Sequence, residues 1–163
     1  MMKTDFYDSI VAYIVDEQTK FYRLAYSYLR NRDDALDAVQ NAVCKALEHY
    51  RDIKNQEAVK TWFYRILINE SINILKEKHR LTYVYDENKD RIYEEKGFEP
   101  GFDAKDCLSR LDIEAQTIIK LRFFEELSLN EIAKVTGLNI NTVKSKLYRG
   151  LKQMKICLKE DEL

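Results

Sequence analysis

The stretch Ser128-Leu129-Asn130-Glu131-Ile132-Ala133-Lys134-Val135-Thr136-Gly137-Leu138-Asn139-Ile140-Asn141-Thr142-Val143-Lys144-Ser145-Lys146-Leu147-Tyr148-Arg149 decides the fold. Ser128 with Glu131 three residues on has the capping-box spacing, in which each side chain satisfies a free amide of the other residue. Gly137 stands where a helix ends in a left-handed residue. Asn139 then caps a last helix that runs to about Leu158. Helix, short turn with glycine, helix is the helix-turn-helix layout.

On a helical wheel, Ile140, Val143, Leu147, Leu151, Met154 and Leu158 fall in one narrow sector, which is expected to face a core. Thr142, Ser145, Lys146, Arg149, Lys152 and Gln153 fall opposite, and Lys144 and Lys155 flank the apolar stripe. From 139 to 159 there is no acidic residue, whereas an ordinary solvated face mixes signs. Short polar side chains at the start and long cations further along suit a helix whose first turns enter the major groove. Thr142, Ser145, Lys146 and Arg149 are expected to approach base edges, and Lys144, Lys152 and Lys155 to neutralise phosphates. Gly150 costs about 1 kcal/mol relative to alanine inside a helix, and close helix packing is its expected reason.

Upstream, Ala104–Arg110 and Ile113–Phe124 read as helices, closing a second domain over 104–160. Residues 81–103 lose helical periodicity and collect Asp, Glu, Lys, Gly97, Pro100 and Gly101, the composition of an acidic flexible linker. A first domain over 6–80 reads as helices at Phe6–Val15 and Gln18–Leu29 and a third capped by Asp33 or Asp34 and running to about His49. A polar loop over Arg51–Gln56 leads to a fourth helix over Glu57–Lys78. In that fourth helix Val59, Phe63, Ile66, Leu67 and Ile74 share a stripe, and Tyr64 falls off it. Arg65, Asn69, Asn73, Lys76 and Arg80 form a ridge beside the stripe. Trp62 lies at the border, where it either packs in the core or stacks on an exposed base. The expected fold is therefore all-α, two small helical domains joined by a flexible linker.

The chain has 163 residues, a net charge of −1, 45% hydrophobic and 34% charged residues, and only four Gly and one Pro. That balance fits a globular protein of long helices and excludes a disordered chain. No apolar run approaches the roughly 18 residues of a membrane span, and acidic residues occur early, so a cytoplasmic location is expected. Cys44, Cys107 and Cys157 lie far apart with no Cys-x-x-Cys or Cys/His cluster; the expectation is three reduced thiols, no metal and no cofactor. His49 and His79 have no carboxylate or thiol partner at ligand spacing, so no catalytic residue is assigned and an enzyme is not expected.

Three segments together resemble the sigma factors of RNA polymerase. Asp34-Ala35-Leu36-Asp37-Ala38-Val39-Gln40, then Lys45-Ala46, looks like their polymerase-binding segment. Thr61-Trp62-Phe63-Tyr64-Arg65-Ile66, then Asn69 and the basic end Lys76 to Arg80, resembles their −10 segment. The opening stretch from Leu127 to Arg149 is similar to their −35 reader. The order and length are those of the small extracytoplasmic-function (ECF) type of the sigma-70 family. The resemblance implies a region 2 helical bundle and a region 4 helix-turn-helix. It implies polymerase binding through the largest-subunit clamp helices by Asp34, Asp37, Gln40 and Lys45. It further implies single-strand −10 capture by Asn55, Trp62, Arg65, Asn69, Asn73, Lys76 and Arg80, and duplex −35 reading by Thr142, Lys144, Ser145, Lys146, Arg149, Lys152 and Gln153. RNA polymerase core, promoter DNA and an anti-sigma factor are the implied partners. Leu36 and Asn41 depart from the family, standing where acidic residues are common. The second domain alone also permits a helix-turn-helix regulator acting at an operator without joining polymerase, although no dimerisation helix is evident.

Overall fold

The structure, a computed structural model, describes residues 2–53, 55–85 and 103–161. Among these there is no strand, and the chain divides into two compact helical units, 1–79 and 80–163. The expected all-α, two-domain architecture is what forms.

The first unit is built from α1 (Met2–Asp16), α2 (Gln18–Leu29), α3 (Arg32–His49) and α4 (Val59–Tyr85), with single 3₁₀ turns at Tyr50–Asp52 and Gln56–Ala58. Between α2 and α3 the break falls at Arg30, whose backbone is left-handed and whose N–H donates to the Tyr26 carbonyl at 2.8 Å. The cap of α3 is Asn31 rather than Asp33 or Asp34: its Oδ1 accepts from the Asp34 N–H at 3.0 Å. The two aspartates fall instead in the first helical turn, where their charge meets the positive end of the helix dipole. Ala35, Ala38, Ala42 and Ala46 form a fully buried stripe of small side chains, which lets α3 lie close on α2.

An aromatic cluster fills the centre of this unit. Phe21 of α2 sits 4.5 Å from Phe63 and 5.6 Å from Tyr64, both on α4, and 5.7 Å from Tyr13 of α1, measured between ring centroids. Tyr64, which the wheel put off the stripe, is thus core. α4 has neighbours on a wider arc than one apolar stripe describes. The helix also runs on to Tyr85, past both the expected helix end at Lys78 and the expected domain end at 80. Extending an existing helix adds a hydrogen bond for each residue fixed, so the poor propensity of residues 81–85 does not stop it. The rest of the expected linker, 86–102, lies outside the described residues.

The second unit holds α5 (Ala104–Ser109), α6 (Ile113–Ile119), α7 (Leu129–Thr136) and α8 (Ile140–Asp161). The helix expected to reach Phe124 stays α-helical only to Ile119 and continues as a π turn over Lys120–Phe124, with the Glu125 N–H on the Lys120 carbonyl at 3.1 Å. Leu108, Leu111, Ala115, Ile118, Leu121, Leu127, Ile132, Val143 and Leu147 form the core. A buried polar chain runs beneath it. The Lys120 Nζ donates to Gln116 Oε1 at 3.3 Å, and the Gln116 Nε2 donates to the Leu111 and Ser109 carbonyls at 2.8 and 3.2 Å. Asp103 caps α5 in a capping box with Asp106, and the Asp106 N–H holds its carboxyl below the usual carboxylate range. That contribution to the cap is present above the unfolded-state value and fades as pH falls through the lower folded-state one.

Gly150 lies where α8 crosses α6. A Cβ there would stand 3.0 Å from Ile119 Cδ1 and 3.6 Å from Ala115 Cβ and Leu111 Cδ1, so close packing does account for the glycine. Gly150→Val is expected to destabilise this unit by at least about 1 kcal/mol despite the gain in helix propensity. Urea unfolding followed by circular dichroism checks it, and an unchanged midpoint would contradict the packing argument. Two expectations are corrected here. Leu158 does not reach the core and is 38% exposed. Cys107 and Cys157 are joined in a disulfide with Cα atoms 5.8 Å apart, so only Cys44, exposed on α3, is a free thiol.

Candidate nucleic-acid interface

The helix-turn-helix is assembled from contacts a few residues long. Ser128 Oγ accepts from the Glu131 N–H at 3.1 Å while Glu131 Oε1 accepts from the Ser128 N–H at 2.9 Å, the full capping box. Gly137, with φ of 75°, ends α7 and returns its N–H to the Ala133 carbonyl at 2.8 Å. Asn139 Oδ1 then accepts from the Asn141 N–H at 2.8 Å, starting α8. Ile132 and Val135 of α7 and Val143 and Leu147 of α8 are buried, so the two helices share one core and α8 turns its other side outward.

On that outward side Lys144, Ser145, Arg149, Lys152 and Gln153 are exposed, and Thr142 is half-buried. Lys146 is placed differently from its neighbours. It is half-buried, and its Nζ lies 2.7 Å from Glu114 Oε2 of α6. The wheel puts Lys146 at the edge of the polar sector, on the flank that Gly150 turns toward α6, so this cation is shared between the seam and the open face. Sequence reasoning passed over Tyr148, which is 68% exposed and follows Lys144 by four residues. An aromatic exposed among cations was the available signal.

A second polar face runs along α4. Arg65, Asn69, Asn73, Lys76 and Arg80 are all exposed, at steps that keep them on one side of the helix. Trp62 is half-buried beside Phe63, so one part of its ring surface packs and the rest meets solvent. Asn55 is exposed just before α4, and its Oδ1 accepts from the Ala58 N–H at 2.9 Å. The side chain is thereby held in one orientation, with its amide NH₂ as the remaining donor group.

α3 carries the four residues expected to meet polymerase, two of them on its outer side and two turned to α4. Asp37 and Gln40 are exposed. Asp34 is ion-paired with Lys78 of α4, and Lys45 with Glu70 of α4. These pairs tie α3 to α4, a role that no wheel of one helix reveals. The Glu70 side chain is only 9% exposed, while Lys45 is mostly solvated. Lys45→Ala therefore leaves a nearly buried carboxylate without its cation and is expected to cost about 1–2 kcal/mol, reduced by screening at the exposed lysine. Glu70→Gln in the same chain should recover most of that loss. A double-mutant cycle by urea unfolding measures it, and additive losses would refute the coupling.

His49, expected to lack a carboxylate neighbour, has its Nδ1 3.6 Å from Asp52 Oδ2 on the surface, because the 3₁₀ turn after α3 brings Asp52 back beside it, and among the described residues no group of three metal-ligating side chains comes together. Nor is any described helix long and apolar enough to cross a membrane.

Comparison with known proteins places both units in one family. The model of sigma-70 region 2 matches residues 14–81, and that of sigma-70 region 4 matches 102–154. RNA polymerase sigma factor SigV of Bacillus subtilis (strain 168) is 43% identical over 157 residues, covering 94% of this chain and 93% of its own length. The chain belongs to the sigma-70 family. It is a sigma factor of the ECF type, in line with its similarity to ECF RNA polymerase sigma factor SigW of Bacillus subtilis, 26% identical over 86% of this chain and 84% of the relative. Among solved structures, the sigma factor RpoE in complex with the anti-sigma factor NepR from Bartonella quintana shares the fold, with a TM-score of 0.70, 20% identity and coverage of 93% of this chain and 97% of that one. CnrH in complex with the cytosolic domain of CnrY does so with a TM-score of 0.69, 19% identity and coverage of 94% and 90%.

This sigma factor is thus an alternative initiation factor that directs transcription. The reading as an operator-bound regulator gives way, because it leaves the region 2 match over 14–81 without a purpose.

Proposed function

We propose that this sigma factor docks on RNA polymerase core through α3, captures the non-template strand of the −10 element along α4, and reads −35 duplex with α8. The polymerase surface is the largest-subunit clamp helices, met by Asp37 and Gln40 directly and by Asp34 and Lys45 through exchange of their internal ion pairs. Along α4, Arg65, Lys76 and Arg80 follow phosphates, Asn69 and Asn73 supply hydrogen bonds, Trp62 stacks, and Asn55 contacts a flipped base. At −35, Thr142, Ser145, Lys146, Arg149 and Gln153 approach base edges while Lys144 and Lys152 set the register on phosphates. The domains that do this are 6–80 and 104–160, joined by the acidic segment 81–103, of which the first five residues are the end of α4.

The observation that carries the proposal is the outward face of α8. Lys144, Ser145, Arg149, Lys152 and Gln153 are exposed on it with no acidic residue in the sequence from 139 to 159, and they ride on a helix-turn-helix held by its own caps. The factor contributes binding and strand opening, and the polymerase supplies the catalysis. It works in the cytoplasm, where polymerase is. An anti-sigma protein is its expected regulator, since the sigma factor RpoE, which shares this fold, is seen in complex with the anti-sigma factor NepR.

Purified core polymerase plus this chain, with transcript 5′ ends mapped by sequencing, tests the whole reading. Starts should cluster downstream of one shared pair of sequence elements. Starts no different from those of core alone would overturn it.

A further inference from the structure

The flank of α8 that turns toward α5 and α6 carries three successive attachments to the rest of its unit. Lys146 meets Glu114, Gly150 packs on Leu111, Ala115 and Ile119, and Cys157 is bonded to Cys107. The first two are anchored by a core in which Val143 and Leu147 are buried. Beyond Met154 that support ends. Ile156 is 51% exposed, Leu158 is 38% exposed, and Lys155 and Lys159 are exposed as well. Apolar burial therefore does not hold the last turns of α8. The disulfide does, from a sulfur site at Cys107 that is 1% exposed within α5. Two cations of the acid-free face, Lys155 and Lys159, lie on the turns it holds.

We propose that Cys107 and Cys157 form a reversible thiol–disulfide site, exchanging with a low-molecular-weight thiol/disulfide couple, whose oxidised form keeps the end of α8 and its cations in place against DNA phosphates. This rests on the reading of α8 as the −35 reader. The pair spans 50 residues of sequence, so the bond encloses α6, the π turn, α7 and the base-facing turns of α8. Disulfides in reducing compartments are typically transient and redox-responsive, which is the setting in which a transcription factor works.

The exchange balances as follows from exposure. Cys157 is half-buried and Cys107 is buried, so Cys157 is the sulfur that a small molecule reaches. On oxidation its thiolate attacks one sulfur of a small disulfide, forms a mixed disulfide and expels one small thiolate. The Cys107 thiolate then attacks the Cys157 sulfur, forms the internal bond and expels the second thiolate. Two electrons pass from the cysteine pair to the small disulfide, and the two cysteine protons end on the two small thiols. Reduction runs the same steps backward.

The test uses the full chain carrying Cys44→Ser, which removes the exposed third thiol. It is equilibrated across mixtures of reduced and oxidised glutathione. Three readouts follow: free thiols by alkylation and mass, trypsin cleavage after Lys155, and the salt dependence of binding to a random-sequence DNA duplex. The pair should titrate together as one two-electron couple. Cleavage after Lys155 should be about tenfold slower in the oxidised form, because opening of the helix end is then restricted. The salt slope should be steeper when oxidised by about one to two phosphate contacts. Cys107→Ser and Cys157→Ser should each keep the cleavage rate and salt slope of the reduced chain at every glutathione ratio, with no internal disulfide formed. The reduced chain without those substitutions gives the same comparison if a variant fails to fold. Two thiols that stay free in oxidised glutathione, or equal cleavage rates in both forms, overturn the site. An unchanged salt slope with changed cleavage overturns its link to DNA. If neither form binds duplex at all, the −35 reading fails while the thiol count and the trypsin rate still decide the redox site.

Discussion

Phe21→Ala is expected to destabilise the first unit by about 3–5 kcal/mol, the range for emptying a buried aromatic site. Phe21 has no exposed surface and is the ring on which α1, α2 and α4 converge, through Tyr13, Phe63 and Tyr64. Such a loss is a large share of the roughly 5–15 kcal/mol by which domains are stable. It should therefore weaken polymerase docking and −10 capture together, although Phe21 lies on neither surface. Trp62 is the only tryptophan of the chain, so its fluorescence during urea unfolding reports this unit alone. Phe21→Leu is the control and should cost less than about 1.5 kcal/mol, because most of the volume is kept. An alanine variant that loses under about 1 kcal/mol would mean that the cluster closes over the gap and is not the keystone described here.

Arg149→Ala is expected to cost about 1–3 kcal/mol of affinity for a −35 duplex and to relax preference at one base pair. The residue is exposed near the middle of the outward face of α8, opposite the buried Val143 and Leu147. Its planar fork of donors can pair with both acceptors of a guanine edge in a fixed geometry. Lys152→Ala offers the contrast. One turn further from the helix start, it should weaken all sequences alike and lower the salt slope by about one contact. Competition binding over a set of duplexes changed one base pair at a time separates the two. Equal, sequence-blind losses would move Arg149 to the phosphate backbone.

The helix-turn-helix was readable because every device that builds it is local. Ser128 with Glu131, Gly137 with Ala133, and Asn139 with Asn141 each act within four residues of chain. The ridge on α4 was readable for the same reason, since residues three and four apart must share a face. Errors gathered where the decision belonged to another helix. Tyr64 looked peripheral until Phe21 of α2 was placed against it, and Leu158 looked like core until no partner came to cover it. The early stop assigned to α4 came from the loss of helical periodicity after 80, which does not end a helix already formed. The π turn at Lys120–Phe124 left no mark that could be told from an α-helical pattern.

What the sequence alone determined is the set of helices, the two-unit plan, the family and the faces offered to solvent, because hydrophobic period and capping are properties of neighbouring residues. What only the tertiary structure decided is which side chains meet across helices: Asp34 with Lys78, Lys45 with Glu70, Lys146 with Glu114, and Cys107 with Cys157. A wheel gives the direction in which a side chain leaves its own axis. It carries no information on the distance or angle of the next axis, and those two quantities settle whether a lysine reads DNA freely or shares its charge with a carboxylate.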